Sequence, residues 1–291
     1  MSAVDRLAQV TAHLAHVTPS MTNKVCIITG AGSIYGIGRA TAISIAKREP
    51  KAIYVTDLTL ENLEDLSKEI HEKYPGVQCI ARAVDAASSS AVEGIVNEAL
   101  TTFGRLDVFV ANAGKATMSR ISQETAESFT DMMRINSLSV FLAIKFAGEA
   151  MKAVGKGGKE RSGGSIVATS SVAGIRSGAG SPEYSASKAA VASLCQTGSC
   201  QYAGFDIRVN AICPGLIETN MTKLVFDNAR SRGTTHKIGQ LNPLGRSGVS
   251  SEVGNVIAFL ASDEASYVNG QVLAVDGGLS ASHPVAPGKF F

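Results

Sequence analysis

The chain has 291 residues, a net charge of +2, 45% hydrophobic residues, 18% charged residues and 5% aromatics. The near-neutral balance, with no dense basic run, excludes a nucleic-acid-binding surface, and no stretch of about 20 apolar residues suits a membrane span. Five cysteines (Cys26, Cys79, Cys195, Cys200, Cys213) form no CxxC pair and the histidines are scattered, so we read the cysteines as reduced core or near-core thiols of a cytoplasmic protein without a metal site.

Residues 1–21 form an extension in which Val4, Leu7, Val10, Leu14 and Val17 recur at helical spacing. Asp5 and a single basic residue, Arg6, argue against a targeting peptide and for a short amphipathic helix. Lys24–Thr29 is strand-like, Gly36–Lys47 helical, and Ala52–Thr56 a second strand. A charged amphipathic helix over Leu60–Tyr74 stops before Pro75-Gly76. Gln78–Ala83 is a strand, Ser88–Phe103 a helix, Leu106–Ala111 a strand, and Thr125–Val154 one long helix. Ser165–Thr169, the helix Glu183–Tyr202 and the strand Ile207–Ala211 follow. A less regular stretch leads to a helix near Ser251–Leu260 and a last strand, Gln271–Val275. Residues 281–291 form a tail that matches no retention or peroxisomal signal.

Alternating strands and helices imply parallel strands with right-handed crossovers, and continuous Val/Ile runs suit a sheet covered on both faces. The expected architecture is α/β: a single Rossmann-type, doubly wound domain over residues 22–280, with a seven-stranded, mostly parallel sheet.

Three groups of residues carry chemistry. The run Thr29-Gly30-Ala31-Gly32-Ser33-Ile34-Tyr35-Gly36-Ile37-Gly38 lies between the first strand and a helix. Glycines there let backbone N–H groups and a helix N-terminus approach a pyrophosphate. Asp57 ends the second strand, 19 residues after Gly38, where a carboxylate bonds ribose hydroxyls and repels a 2′-phosphate. NAD(H) is therefore favoured, with NADP(H) the alternative. Tyr184 and Lys188 share one helical face at i, i+4. A cation beside a phenol lowers its pKa toward the range useful for proton transfer to and from an alcohol.

With these motifs the chain resembles the short-chain dehydrogenase/reductase family over roughly residues 22–280. The Thr29-Gly30…Gly36-Ile37-Gly38 loop is similar to TGxxxGxG, Asn112-Ala113-Gly114 to the NAG motif, and Asp276-Gly277-Gly278 is also family-like. The resemblance implies a catalytic set of Asn136, Ser171, Tyr184 and Lys188, with Ser171 lying 13 residues before Tyr184 and favoured over its neighbour Ser170. It further implies cofactor contacts at Gly30, Ser33, Tyr35, Gly36, Ile37, Gly38, Asp57, Asp85, Ala86, Asn112, Ala113, Gly114, Tyr184, Lys188, Pro214, Gly215, Ile217 and Thr219. Asn136 would hold a water linking Lys188 to solvent. Gly30 and Gly36 are separated by five residues where the family has three, which leaves the role of Ser33-Ile34-Tyr35 open.

The activity so implied is interconversion of a secondary alcohol and a ketone on a medium, mainly apolar molecule. The substrate would be walled by residues 115–121, 172–182 and a lid over about 216–245. Arg230, Arg232 and Lys237 in the lid either meet an acidic substrate or face solvent. Other readings are a dinucleotide-dependent cyclisation or epimerisation, and a cofactor-binding regulator. Apolar residues beyond one sheet-facing stripe (Val140, Phe141, Ile144, Phe146; Val191, Leu194, Cys195) imply a homotetramer built as a dimer of dimers.

Overall fold

The computed structural model describes residues 21–176 and 178–282. The expected N-terminal helix and most of the tail lie outside these residues. Seven strands form one sheet: β1 (Val25–Thr29), β2 (Ala52–Asp57), β3 (Gln78–Ala83), β4 (Val108–Ala111), β5 (Gly164–Thr169), β6 (Ile207–Pro214) and β9 (Val272–Val275). Their order is β3-β2-β1-β4-β5-β6-β9, with every pairing parallel. Two short strands, β7 (Ile217–Glu218) and β8 (Gly248–Val249), pair separately.

The alternation within β1 shows how the sheet is covered. Val25 and Ile27 pack into one core with α3 (Ser89–Phe103), α5 (Ser139–Lys152) and α6 (Pro182–Gln201). Cys26 and Ile28 pack into the opposite core with α1 (Ile37–Ala46), α2 (Leu63–Lys73) and α8 (Ser250–Ala261). All four are fully buried, and each of the three aliphatic ones contributes about 1.5–3 kcal/mol. A strand buried on both faces has no polar side to show water, hence its unbroken apolar run.

Local signals set the helix ends. The Ser88 side chain accepts from the Ala91 N–H at the start of α3, and Gly104 closes that helix at φ 74°. α2 begins at Leu63 rather than Leu60 because Asn62 turns left-handed, at φ 61°.

The structure differs from expectation in four places. The long helix is not continuous: α4 (Ala126–Met133) and α5 are joined by a π-helical turn, Arg134–Leu138. The irregular stretch contains α7 (Lys223–Ser231), an exposed helix with only Phe226 buried. Cys200 is exposed, whereas the other four cysteines are buried. Finally, Val140, Ile144, Val191 and Cys195 are consumed by the chain's own core, because α5 and α6 pack on each other as well as on the sheet. On α4, the π turn and α5 themselves the large apolar residues left exposed are Phe129, Leu138 and Phe141.

The strand order reverses between β1 and β4. Loops leaving the two strands there in opposite directions open a crevice at their carboxyl ends.

Candidate active site

A cavity of about 490 Å³ occupies that crevice. Its floor is fastened by Asn112, just past β4. The Asn112 amide donates to the carbonyls of Thr29 and Gly30, both at 3.1 Å, and its oxygen accepts from Thr169 Oγ1 at 3.1 Å. One side chain thus joins the ends of β1, β4 and β5. The Thr29 hydroxyl accepts from the N–H groups of Asn112 and Ala113 at 3.0 and 3.1 Å.

The glycine loop runs along one wall. A Cβ on Gly38 would stand 2.2 Å from the Gly30 carbonyl, and one on Gly30 2.8 Å from Ala113 Cα. Glycine is therefore required where this loop folds onto the α1 turn and the β4 loop. Gly36 caps α1 with no side-chain hydrogen bond, which leaves the positive end of the helix open to an anion. Asp57 accepts from the N–H groups of Gly32 and Leu58, both at 2.8 Å, and lines the cavity beyond the loop. Arg39 is turned away from it: its guanidinium donates to Glu69 at 2.7 Å and to the Asn62 carbonyl at 3.3 Å.

At the other end lie Ser171, Tyr184 and Lys188. Ser171, extended just past β5, accepts from the Ala173 N–H at 3.1 Å and lines the cavity beside Tyr184. The Ser170 hydroxyl instead donates to the Lys188 carbonyl at 2.7 Å, so geometry separates the two serines. Lys188 Nζ lies 5.7 Å from the Tyr184 ring centre and donates to the Thr169 carbonyl at 2.7 Å.

Burial pushes the Tyr184 phenol above its ordinary value, with the neighbouring Ser171 hydroxyl opposing. Burial also takes Lys188 down to about 8. The depression of Tyr184 expected from Lys188 is thus not what this arrangement produces. Desolvation disfavours both charged forms, and the ammonium is engaged by a backbone carbonyl.

Asn136 sits in the π-helical turn, fully buried. Its amide grips the Lys115 backbone from both sides, accepting from the N–H at 2.9 Å and donating to the carbonyl at 3.0 Å. It also donates to Ser187 at 3.0 Å. The extra residue of a π turn re-aims a side chain, and here it fixes the start of the loop after β4. A Cβ on Gly114 would lie 3.0 Å from Asn136 Oδ1 and 3.4 Å from Lys188 Nζ, so both groups border the same small residue.

The residues expected around a dinucleotide mostly gather here. Gly30, Ser33, Gly36, Ile37, Asp57, Asp85, Ala86, Asn112, Ala113, Gly114, Pro214, Gly215, Ile217 and Thr219 all line the cavity. Gly38 supports the wall without lining it. Tyr35, 70% exposed, lies outside this cavity and borders a neighbouring one with Ile34, Ile43 and Lys223. Its carbonyl accepts from Ser250 at 2.6 Å. Asp276 is absorbed in its own turn, accepting from Gly278 and Ser280. Sequence reasoning missed Arg134, which lines the cavity and faces Asp85 at 3.5 Å. A basic residue in a helix carries no signal that a π turn will aim it into a cleft.

A dinucleotide fits this cleft on three counts: glycines packed too closely for a Cβ, an uncapped helix N-terminus, and a carboxylate beyond them. The comparisons agree. The family profile described as "Enoyl-(Acyl carrier protein) reductase" matches residues 30–280, and the chain belongs to the short-chain dehydrogenase/reductase family. It is 38% identical to the 3-oxoacyl-[acyl-carrier-protein] reductase of Thermotoga maritima, over 89% of this chain and 98% of that protein. It is 34% identical to the levodione reductase of Leifsonia aquatica, over 91% and 97%. The crystal structure of levodione reductase superposes with a TM-score of 0.81 at 34% identity, covering 90% of this chain and all of that one. L-sorbose reductase from Gluconobacter frateurii, solved with NADPH and L-sorbose, gives 0.81 at 27% identity, over 91% and 99%. The chain is thus an oxidoreductase of a family that uses nicotinamide dinucleotides.

Proposed function

We propose that this chain interconverts a secondary alcohol and a ketone on a medium, mainly apolar molecule, with Tyr184 as general acid/base. The observation that carries this reading is the gathering of Ser171, Tyr184 and buried Lys188 in one cavity that also holds Asp57, with Lys188 Nζ 5.7 Å from the Tyr184 ring centre. In reduction, Tyr184 gives its phenolic proton to the carbonyl oxygen as that oxygen gains negative charge. Ser171 donates a hydrogen bond to the same oxygen, an interaction that strengthens in the transition state. In oxidation, Tyr184 takes the alcohol proton back. When bound, the nicotinamide supplies or accepts the hydride. Lys188 and Asn136 hold the strand ends and the Lys115 loop in register around these groups.

NAD(H) is the favoured cofactor. Asp57 presents negative charge where a 2′-phosphate would lie, and Arg39 is paired with Glu69. The apolar character of the substrate is supported by Ile135, Ile217 and Met221 on the cavity wall. An acidic substrate finds less support, since Arg230 is paired with Glu218 and Asp227 and Lys223 with Asp227. The unpaired thiols Cys26, Cys79, Cys195 and Cys213 suit the reducing cytoplasm.

A panel of secondary alcohols and their ketones, assayed with NAD(H) and NADP(H) at the reduced-nicotinamide absorbance, tests the reading. Turnover coupled to a one-to-one alcohol–ketone exchange is expected. A product formed by ring closure or epimerisation, or tight NADH binding with no turnover across the panel, counts against it.

A further inference from the structure

Glu183 immediately precedes Tyr184 in the first turn of α6 and is 1% exposed. Its Oε1 accepts from Ser181 at 2.6 Å, from Thr117, and from Ser119 at 3.4 Å. Its Oε2 is buried with no partner among the described residues. Ser181 is the N-cap residue of α6, yet its hydroxyl does not cap the helix; it is diverted to the carboxylate. Thr117 and Ser181 also hydrogen-bond each other at 3.1 Å. Burial pushes the Glu183 carboxyl up, but the hydroxyls of Ser181, Thr117 and Ser119 and a backbone N–H outweigh it and hold it below the usual range.

A buried charge served mainly by hydroxyls is costly unless their placement matters. These hydroxyls come from two segments, the turn before α6 and the loop after Asn112-Ala113-Gly114. That loop, from Lys115 to the short 3₁₀ turn Ile121–Gln123, carries exposed Met118 and Ile121. Asn136 fixes its first residue by both backbone groups. Two and four residues further on, the side chains of Thr117 and Ser119 are tied to Glu183.

We propose that Glu183 is a positioning residue that pins the 115–121 loop to the N-terminus of the catalytic helix, so that the substrate wall and Tyr184 are held as one unit. This rests on the alcohol/ketone reading only for the substrate's being walled by that loop. Glu183 touches no reacting atom. Its removal acts on how well substrate is held, not on the proton transfer itself.

Hydrogen exchange, NADH titration by fluorescence and steady-state kinetics on Glu183→Ala and Glu183→Gln test this. In Glu183→Ala, exchange in residues 116–121 is expected to rise by about tenfold while the β1, β4 and β5 amides stay protected. NADH affinity should stay within about threefold, and KM for the alcohol found in the screen should rise about tenfold with kcat within about threefold. Glu183→Gln keeps an acceptor at Oε1 and should restore both the exchange pattern and KM. If Glu183→Ala does not fold, the pair Thr117→Val and Ser181→Ala removes the donors instead, with the same expectation. Unchanged loop exchange and unchanged KM overturn the proposal, as does a Glu183→Gln protein that loses the loop as fully as the alanine variant. The exchange measurement needs no substrate, so a failed alcohol screen overturns the activity and leaves the loop result to be judged alone.

Discussion

At the scale of single residues, Tyr184 is the group on which the proposed chemistry turns. Replacing it with Phe keeps the packing ring and removes the proton-bearing oxygen. Tyr184→Phe is expected to lower kcat by about 100-fold or more, the range of a general acid/base, with NADH affinity little changed; retention of a tenth of the activity would refute the role. Burial raises the Tyr184 pKa, so the phenol keeps its proton through neutral pH. Reduction then has its donor loaded at neutrality, whereas oxidation needs the phenolate and should accelerate as pH rises toward 10. An oxidation rate that peaks near neutrality and falls by pH 9–10 contradicts this sign. At the other end of the cleft, Asp57 is expected to make NAD(H) bind more tightly than NADP(H). Asp57→Ala should narrow that gap in a fluorescence titration, and equal affinities in the unaltered protein would show that the carboxylate does not discriminate.

Between elements, the packing of α5 on α6 depends on one missing side chain. Gly148, in α5, faces Tyr202 at the end of α6, and a Cβ there would lie 2.1 Å from the ring carbon Cζ. The Tyr202 hydroxyl donates to the Ile144 carbonyl at 2.9 Å, so the ring cannot swing aside without stranding a buried polar group. Gly148→Ala is therefore expected to destabilise the fold by about 1–3 kcal/mol, the usual cost of overpacking. An unchanged urea midpoint would mean that the helices separate more easily than this contact implies. The glycine loop follows the same logic at a functional place: Gly38 and Gly30 are small because two backbones meet there, and their smallness opens the helix end that an anion needs.

For the molecule as a whole, the surface left uncovered points to assembly. Phe129, Leu138 and Phe141 lie exposed along α4, the π turn and α5. On the far side, β9 is an edge strand with Leu273 exposed, next to the fully buried β6. An exposed apolar stripe on the helices and an unpaired edge strand suit two kinds of two-fold contact, the arrangement of a dimer of dimers. Light scattering at micromolar concentration should give about four times the 30.2 kDa chain mass. A monomer mass would show that these residues remain solvent-exposed. Phe141→Glu, which places a charge in the helical stripe, should shift the tetramer toward dimers.

The strands and the candidate site's residues were legible in the chain before any fold was known. Unbroken apolar runs marked strands buried on both faces. Glycines between a strand and a helix, Asp57 after the second strand, and the Tyr184/Lys188 spacing are local patterns that can be picked out without coordinates, because each depends on residues close in the chain. Only the tertiary structure decided what depends on distant neighbours. It sent the Ser170 hydroxyl to the Lys188 carbonyl and left Ser171 on the cavity wall with Tyr184. It placed Asn136 in a π turn gripping Lys115, and turned Tyr35 away from the cleft between β1 and β4 onto a neighbouring one. It buried Val140, Ile144, Val191 and Cys195 inside one chain, where sequence periodicity had suggested a second subunit. The same burial reversed the expected direction of the Tyr184 pKa: a cation four residues away in sequence argues for depression, but desolvation is a property of the whole fold and acts on phenol and ammonium alike.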